Sequence, residues 1–253
     1  MKLYVHKLCK KISYDRKLAA GFDFTIIQKI DGSNFQIILN SITTIMSEVF
    51  DNVCMNETRF LDLLEKLIGE SEYLQNSPSQ NLIPVENLAI KHINDVLEPY
   101  KIENGGMLEV NHITFVEGRG NLIIKYPGVN NNDINKKKIC SFVGSHLDVV
   151  PADPSGWIRD PFHLYRDNDI LYGRGTTDCL GHIAMLTDFI CTLAELKLKL
   201  ETSIVIVFIA NEENGSFPGI GVDQLAKEGY LDELKDGPLF WIDSADSQPC
   251  IGT

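Results

Sequence analysis

The adjacent acids Glu212 and Glu213 follow a run of apolar residues, Ile204 to Ala210, with only Asn211 between. Like charges side by side at the end of a buried strand repel, and neither lies in a helix where a partner four residues away could help. Metal-assisted hydrolysis gives each a separate task. One carboxylate ligates a cation while its neighbour takes a proton from water and delivers it to the leaving amine. The competing interpretation is an exposed acidic loop. Upstream, His146 and Asp148 stand two apart, so in extended chain they project to the same side and the carboxylate can face the imidazole. A ligating histidine usually donates its other ring N–H to such an acceptor; the plainer alternative is a loop histidine beside an unrelated solvated aspartate. Asp178 ends the flexible run Gly173-Arg174-Gly175-Thr176-Thr177, which can aim a side chain into a shared cavity, although an Asp before a helix also serves as an N-cap. Asp243 and Asp246 follow the short apolar run at Trp241-Ile242; Asp243 is nearer the strand end, and either could instead be a turn residue or cap. His182 reads as a helix packing residue.

These side chains can meet only if the elements between them bring them to one edge. The steps from His146 to Asp178, to Glu213 and to Asp243 are 32, 35 and 30 residues, each close to one strand plus one helix. Residues 139–144, 203–210 and 239–242 read as buried strands, 179–196 as a long helix and 222–228 as a short one, an alternation that signals a parallel sheet with crossovers. In such sheets, reacting groups gather just beyond the carboxyl ends of the strands. Before them, Thr58 is a candidate N-cap for a helix with apolar residues at 60, 61, 63, 64, 67 and 68, stopping at Gly69. A polar loop spans 76–84. A second amphipathic helix carries Leu88, Ile90, Ile93, Val96 and Leu97 and closes at Pro99. Residues 108–116 and 121–126 read as a hairpin turning at Gly118-Arg119-Gly120, and 127–138 as an Asn-rich, mobile loop. The predicted fold is therefore α/β, a mostly parallel sheet flanked by helices. Residues 1–57, with seven basic side chains and no clean period, form an unassigned N-terminal segment, and 58–253 the catalytic domain.

Composition closes off several alternatives. The chain has 253 residues, 44% of them hydrophobic, and a net charge of −12, enough apolar material for a proper core. Excess acid argues against nucleic acid and anionic membranes as partners. The longest apolar run falls far short of the roughly 20 residues a spanning helix needs. Six scattered cysteines, with no C-x-x-C pair, favour a reducing compartment and predict no cysteine-based metal site. Met1 to Ala20 lacks the apolar core of a secretory signal, so the expected location is cytoplasmic, a mitochondrial presequence being the alternative. One histidine with several carboxylates suits Zn²⁺ first, with Mn²⁺ or Co²⁺ as alternatives. There is no G-x-S-x-G, H-E-x-x-H, Walker A or strand-linked G-x-G-x-x-G sequence.

The ordered motifs Gly144-Ser145-His146-Leu147-Asp148-Val149-Val150-Pro151, Gly173-Arg174-Gly175-Thr176-Thr177-Asp178 and Asn211-Glu212-Glu213-Asn214 resemble the di-zinc M20 aminoacylase and carboxypeptidase family. Within it, Trp157, Asp160-Pro161-Phe162, Thr177 to His182, Trp241 to Thr253, Leu67 to Ser71 and Leu82-Ile83-Pro84 look like the eukaryotic acetylornithine deacetylase branch. The likeness covers about residues 58–253. It implies a zinc-peptidase-like catalytic domain in which His146 and Asp243 bind one zinc and Glu213 the other, with Asp178 bridging. Asp148 would orient His146 and Glu212 would be the general acid/base; Asp243 is preferred over Asp246 for its distance to Gln248-Pro249. It also implies two zinc ions, a small-molecule N-acyl amino acid substrate (N2-acetyl-L-ornithine, in arginine biosynthesis) and, for the full-length form, a homodimer as one alternative. The family's lid domain and a further ligating histidine are not found within 1–253, so a chain ending at Thr253 is expected to be inactive by itself. The alternatives are another aminoacylase or metal dipeptidase of the family, or a truncated non-catalytic chain.

Overall fold

A computed structural model describes residues 3–4, 54–129 and 138–243. Most of the N-terminal segment, part of the Asn-rich loop (130–137) and the alternative ligand Asp246 lie outside these described residues.

Helix α1 (Glu57–Glu70) starts two residues earlier than expected, because Asn56 and not Thr58 is the cap: its side chain accepts from Arg59 N at 3.1 Å. The helix also runs through Gly69 to Glu70, and its stripe of Phe60, Leu63, Leu64, Leu67 and Ile68 is buried as the spacing predicts. Helix α2 (Asn87–Leu97) buries Ala89, Ile90, Ile93 and Leu97 and gives way to a 3₁₀ turn containing Pro99, which cannot continue the α-helical ladder. The hairpin β2 (Glu109–Val116) and β3 (Arg119–Tyr126) turns at Glu117-Gly118, one step before the expected Gly-Arg-Gly, because Gly118 supplies the positive φ of 79°. Strand β3 therefore begins at Arg119, buried. Its register slips between Thr114 and Val116, a bulge in β2.

Strand β4 (Ile139–Val143), helix α3 (Leu180–Leu196), strand β7 (Ser203–Phe208), helix α4 (Val222–Lys227) and strand β8 (Leu239–Trp241) follow, each within a residue or two of its predicted bounds. Between β4 and α3 lies a small sheet that periodicity did not announce. Strands β5 (Tyr165–Asp167) and β6 (Ile170–Tyr172) turn at Asn168-Asp169 and pair with each other, and β6 also pairs with β1 (Leu3–Tyr4). Asn168, at φ 54°, is the residue type that tolerates such a turn, and was the available signal.

The main sheet has the order β2-β3-β7-β4-β8 and is mixed. Strand β4 is parallel to β7 and β8, as expected, whereas β3 runs antiparallel to β7 and brings the hairpin in as the other half. Alternation on β7 separates two cores. Ile206 and Phe208 face α1, α2 and α3, while Val205, Val207 and then Ile209 face Leu225 of α4 and Leu234. Helix α3 is apolar nearly all round because it lies between the sheet and α1. A charged clamp fixes that contact: Arg59 of α1 donates to Asp188 Oδ1 at 2.6 Å, to Thr192 Oγ1 at 2.9 Å and to Glu195, all on α3. The middle and last turns of α3 are thereby held against α1. Among the described residues no helix is long and apolar enough to cross a membrane.

Candidate metal centre

Three strand ends and one helix start build the centre. Beyond β4, Gly144 takes φ 101° with the Trp241 ring so close that an added Cβ would lie 2.7 Å from it. Only glycine lets the ends of β4 and β8 approach this way. Ser145 and Leu147 then keep pairing along Ile209, through Ile209 N to Ser145 O at 3.0 Å and Leu147 N to Ile209 O at 2.9 Å, leaving His146 fully buried between the two strands. Gly144→Ala is expected to lower stability by at least about 1 kcal/mol, since Ala at positive φ is strained and its methyl group displaces Trp241; an unchanged thermal unfolding midpoint would contradict this.

His146 Nδ1 is 2.8 Å from the main-chain carbonyl of Asp148. A carbonyl can only accept, so Nδ1 carries the hydrogen and Nε2 is the ring's ligand atom. Nε2 faces acids: Asp178 Oδ1 at 2.9 Å, Asp243 Oδ1 at 3.4 Å and Glu212 Oε2 at 3.9 Å. Acceptor facing acceptor is untenable without a positive charge between, either a proton or a metal ion. Burial disfavours a charged ring, yet the hydrogen bonds to Asp178 and Asp243 outweigh it and push His146 up to about 12. Glu213 is pushed up to about 7, first by burial and then by Asp178, Asp148 and Glu212, with His146 opposing. Burial also raises Glu212.

Asp178 does not cap α3; the cap position is Cys179, which makes no side-chain capping bond. Its carboxylate is spent on His146. Asp148 differs from the expectation in which its carboxylate faces the imidazole: the nearest approach, Oδ1 to Nδ1, is 3.7 Å. Other segments take that carboxylate first. Oδ1 accepts Glu212 N at 3.0 Å, and Oδ2 accepts Glu213 N at 3.0 Å and Asn76 Nδ2 at 2.7 Å. Asp148 thus orients His146 through its carbonyl and holds the Glu212-Glu213 main chain with its carboxylate.

Two sets of donor atoms lie within 4.8 Å of one another: His146, Asp178 and Glu213, and His146, Cys179 and Asp243. One ring nitrogen among several carboxylate oxygens, with a buried ligand atom aimed into the group, fits a borderline or hard divalent cation. The expected ligands His146, Asp178, Glu213 and Asp243 are thus brought to one place, with Glu212 beside them. Cys179 also falls in the second set, although the scattered cysteines predict no cysteine-based metal site. Its proximity follows from its place next to Asp178, and burial pushes its thiol up to about 11. His182, read as a packing residue, is half-buried one turn into α3; its Nδ1 is enclosed with no hydrogen-bond partner among the described residues. Burial lowers its pKa first, and the charges of Asp178 and Asp243 act on it in the opposite sense. Sequence reasoning missed Asn76, Glu86, Arg119 and the side-chain role of Asn211. Arg119 between two glycines offered no cue beyond its charge, and Asn76 sat in a stretch read only as a polar loop.

An imidazole and converging carboxylates at the carboxyl edge of the parallel strands, on a helix-flanked mixed sheet, define an α/β domain with a metal-type centre. Residues 142–246 match Peptidase family M20/M25/M40. The chain is 52% identical over 200 residues to the acetylornithine deacetylase of Arabidopsis thaliana, covering 79% of this chain and 44% of that protein. To the acetylornithine deacetylase of Dictyostelium discoideum it is 54% identical over 203 residues, covering 79% and 45%. The chain therefore spans less than half the length of these curated relatives. In fold it is similar to human carnosine dipeptidase 1, with a TM-score of 0.56 at 21% identity, covering 77% of this chain and 41% of that one.

Proposed function

We propose that this chain is the metal-binding catalytic part of an amide hydrolase that releases acetate from N2-acetyl-L-ornithine. The observation carrying this reading is the identity of more than half to two acetylornithine deacetylases over 79% of this chain. His146 and Asp243 would hold one cation and Glu213 a second, with Asp178 shared; the preferred ions are two Zn²⁺, with Co²⁺ or Mn²⁺ as alternatives. Bound there, such cations would supply Lewis-acid polarisation of the amide carbonyl and acidify water.

The chain's own residues supply the rest. Glu212 is partly exposed at the mouth of the group and makes no short contact with His146, so its carboxylate is available to accept a proton. Burial raises its pKa, with Asp243, Asp148 and Asp178 adding to the shift and His146 opposing it, and a raised pKa strengthens a carboxylate as a proton acceptor. It takes the proton from water as the water oxygen joins the carbonyl carbon. The same proton passes to the amide nitrogen as the C–N bond breaks, giving the amine and acetic acid, and the acid's remaining proton then passes to the amine, so that acetate and the ammonium form leave. Asp148 keeps Glu212 and Glu213 at fixed positions, and Arg174, whose charge is felt at Glu213 and Asp178, offsets part of the acidic excess. A cytoplasmic location, a small N-acyl amino acid as the only partner in turnover, and a homodimer for the full-length form belong to the same reading.

The test is the zinc- or cobalt-loaded full-length protein assayed for ornithine release from N2-acetyl-L-ornithine beside other N-acylated amino acids and dipeptides. Preference for acetylornithine supports the proposal. Preference for a dipeptide or another acyl amino acid would reassign the substrate, and no hydrolysis of any of them would remove the enzymatic reading.

A further inference from the structure

Behind the acids lies a chain of buried polar groups that the reaction outlined above does not use. Glu86 occupies the position before α2 but does not cap it; its carboxylate, fully buried, turns to Arg119 at the start of β3. Arg119 grips it with two hydrogen bonds, Nε to Oε2 at 2.5 Å and Nη2 to Oε1 at 2.8 Å, while only 5% of the arginine is exposed. The same Nη2 reaches Asn211 Oδ1 at 3.2 Å, and Asn76 Nδ2 reaches that oxygen at 3.2 Å as well. Asn76 Nδ2 also donates to Asp148 Oδ2 at 2.7 Å. Asn76 is itself pinned beside the site, since its backbone N–H bonds Val149 O at 2.8 Å.

Asn211 is where this network meets the acids. It stands immediately before Glu212 with φ 61°, a left-handed turn that Asn tolerates better than most residues, and it directs the N–H groups of Glu212 and Glu213 back onto Asp148. Its amide is held at both ends: Nδ2 donates to Phe217 O at 2.8 Å, and Oδ1 accepts from Arg119 and Asn76. A buried ion pair such as Glu86 with Arg119 is seldom the cheapest way to stabilise a fold, since apolar residues of like volume commonly do as well. Its planar fork is, however, suited to holding a guanidinium at a fixed angle, and the remaining face of that guanidinium is aimed at Asn211.

We propose that Arg119, locked by Glu86, is a positioning residue for the metal centre: through Asn211 and Asn76 it sets the turn that presents Glu212 and Glu213. This deepens the hydrolase reading and rests on the cation site in it. Outer partners of metal ligands typically change affinity by about 10- to 100-fold when removed, and the same range is expected here although no atom of Arg119 touches a ligand.

The test is cobalt(II) titration of the full-length protein, followed by visible absorption and equilibrium dialysis, with thermal unfolding in parallel. The decisive variant pairs Arg119→Met with Glu86→Gln, which removes both buried charges together and so avoids leaving one unpaired. It is expected to unfold within a few degrees of the unaltered protein yet bind cobalt about 10- to 100-fold more weakly, with an altered d–d spectrum. Asn211→Gly, which keeps the left-handed turn and deletes the shared acceptor, is expected to weaken binding in the same way and serves if the double variant does not fold. Unchanged cobalt affinity and spectrum in either folded variant would overturn the proposal and reduce the network to a packing device. Failure of the unaltered protein to bind cobalt would instead overturn the cation site, and this inference with it.

Discussion

Glu212→Gln in the full-length protein is expected to bind zinc at the same stoichiometry as the unaltered enzyme and to lose on the order of 10²- to 10⁴-fold in kcat, the range usual for removing a general acid/base. The separation of binding from turnover follows from geometry. Glu212 Oε2 is 3.9 Å from His146 Nε2, farther than Asp178 or Asp243, and Glu212 is absent from both sets of mutually close donors. Its main-chain N–H, not its side chain, makes the bond to Asp148, so an amide at the same position leaves that bond intact. Glutamine keeps the volume and loses the proton-accepting oxygen. Metal analysis together with steady-state kinetics decides the matter: near-normal kcat would strip Glu212 of the role, and loss of bound zinc would make it a ligand instead.

Asp148→Ala should be the most damaging single change to the folded state of the centre. Three donors, Asn76 Nδ2, Glu212 N and Glu213 N, converge on that carboxylate, which is fully buried. Each unsatisfied buried donor costs roughly 1–3 kcal/mol, so a loss of about 3 kcal/mol or more is expected. The variant should also bind metal more weakly, because the main chain carrying Glu213 is released. Asp148→Asn keeps one acceptor oxygen and the volume, and should recover part of the stability but not all, since its NH₂ group faces an N–H donor. Urea unfolding of the two variants distinguishes this main-chain clamp from a carboxylate that only steers the imidazole. If Asp148→Ala unfolds at the same denaturant concentration as the unaltered chain, the clamp is refuted.

The contrast between Asp148 and Asp178 shows how far local pattern carries. For Asp178 the sequence held two interpretations, helix cap and ligand, and the structure removes the first, because the cap position falls on Cys179 while the carboxylate reaches His146. For Asp148 the two-residue spacing from His146 correctly put both residues on one loop, yet it could not say that three donors from elsewhere would claim the carboxylate. Those donors belong to residues 72, 64 and 65 positions away. Similarly, the hairpin at 109–126 was legible from alternation and its Gly118 turn, whereas its antiparallel attachment to β7 was not, since any exposed strand edge could have received it.

By itself the sequence determined the strands of the main sheet and the helices that flank it, though not the small β1-β6-β5 sheet, that the apolar runs end in acids and one histidine at regular intervals, and which family those motifs resemble. Periodicity and residue type are local properties of the backbone, and they survive without knowledge of the neighbours. Only the tertiary structure decided that the sheet is mixed, that Cys179 lies near His146 and Asp243, and that Glu86, Arg119, Asn76 and Asn211 stand behind Glu212 and Glu213. Each of these depends on which buried polar group finds which partner. That choice is made when distant segments are packed together and every donor must be satisfied, so no window along the chain contains it.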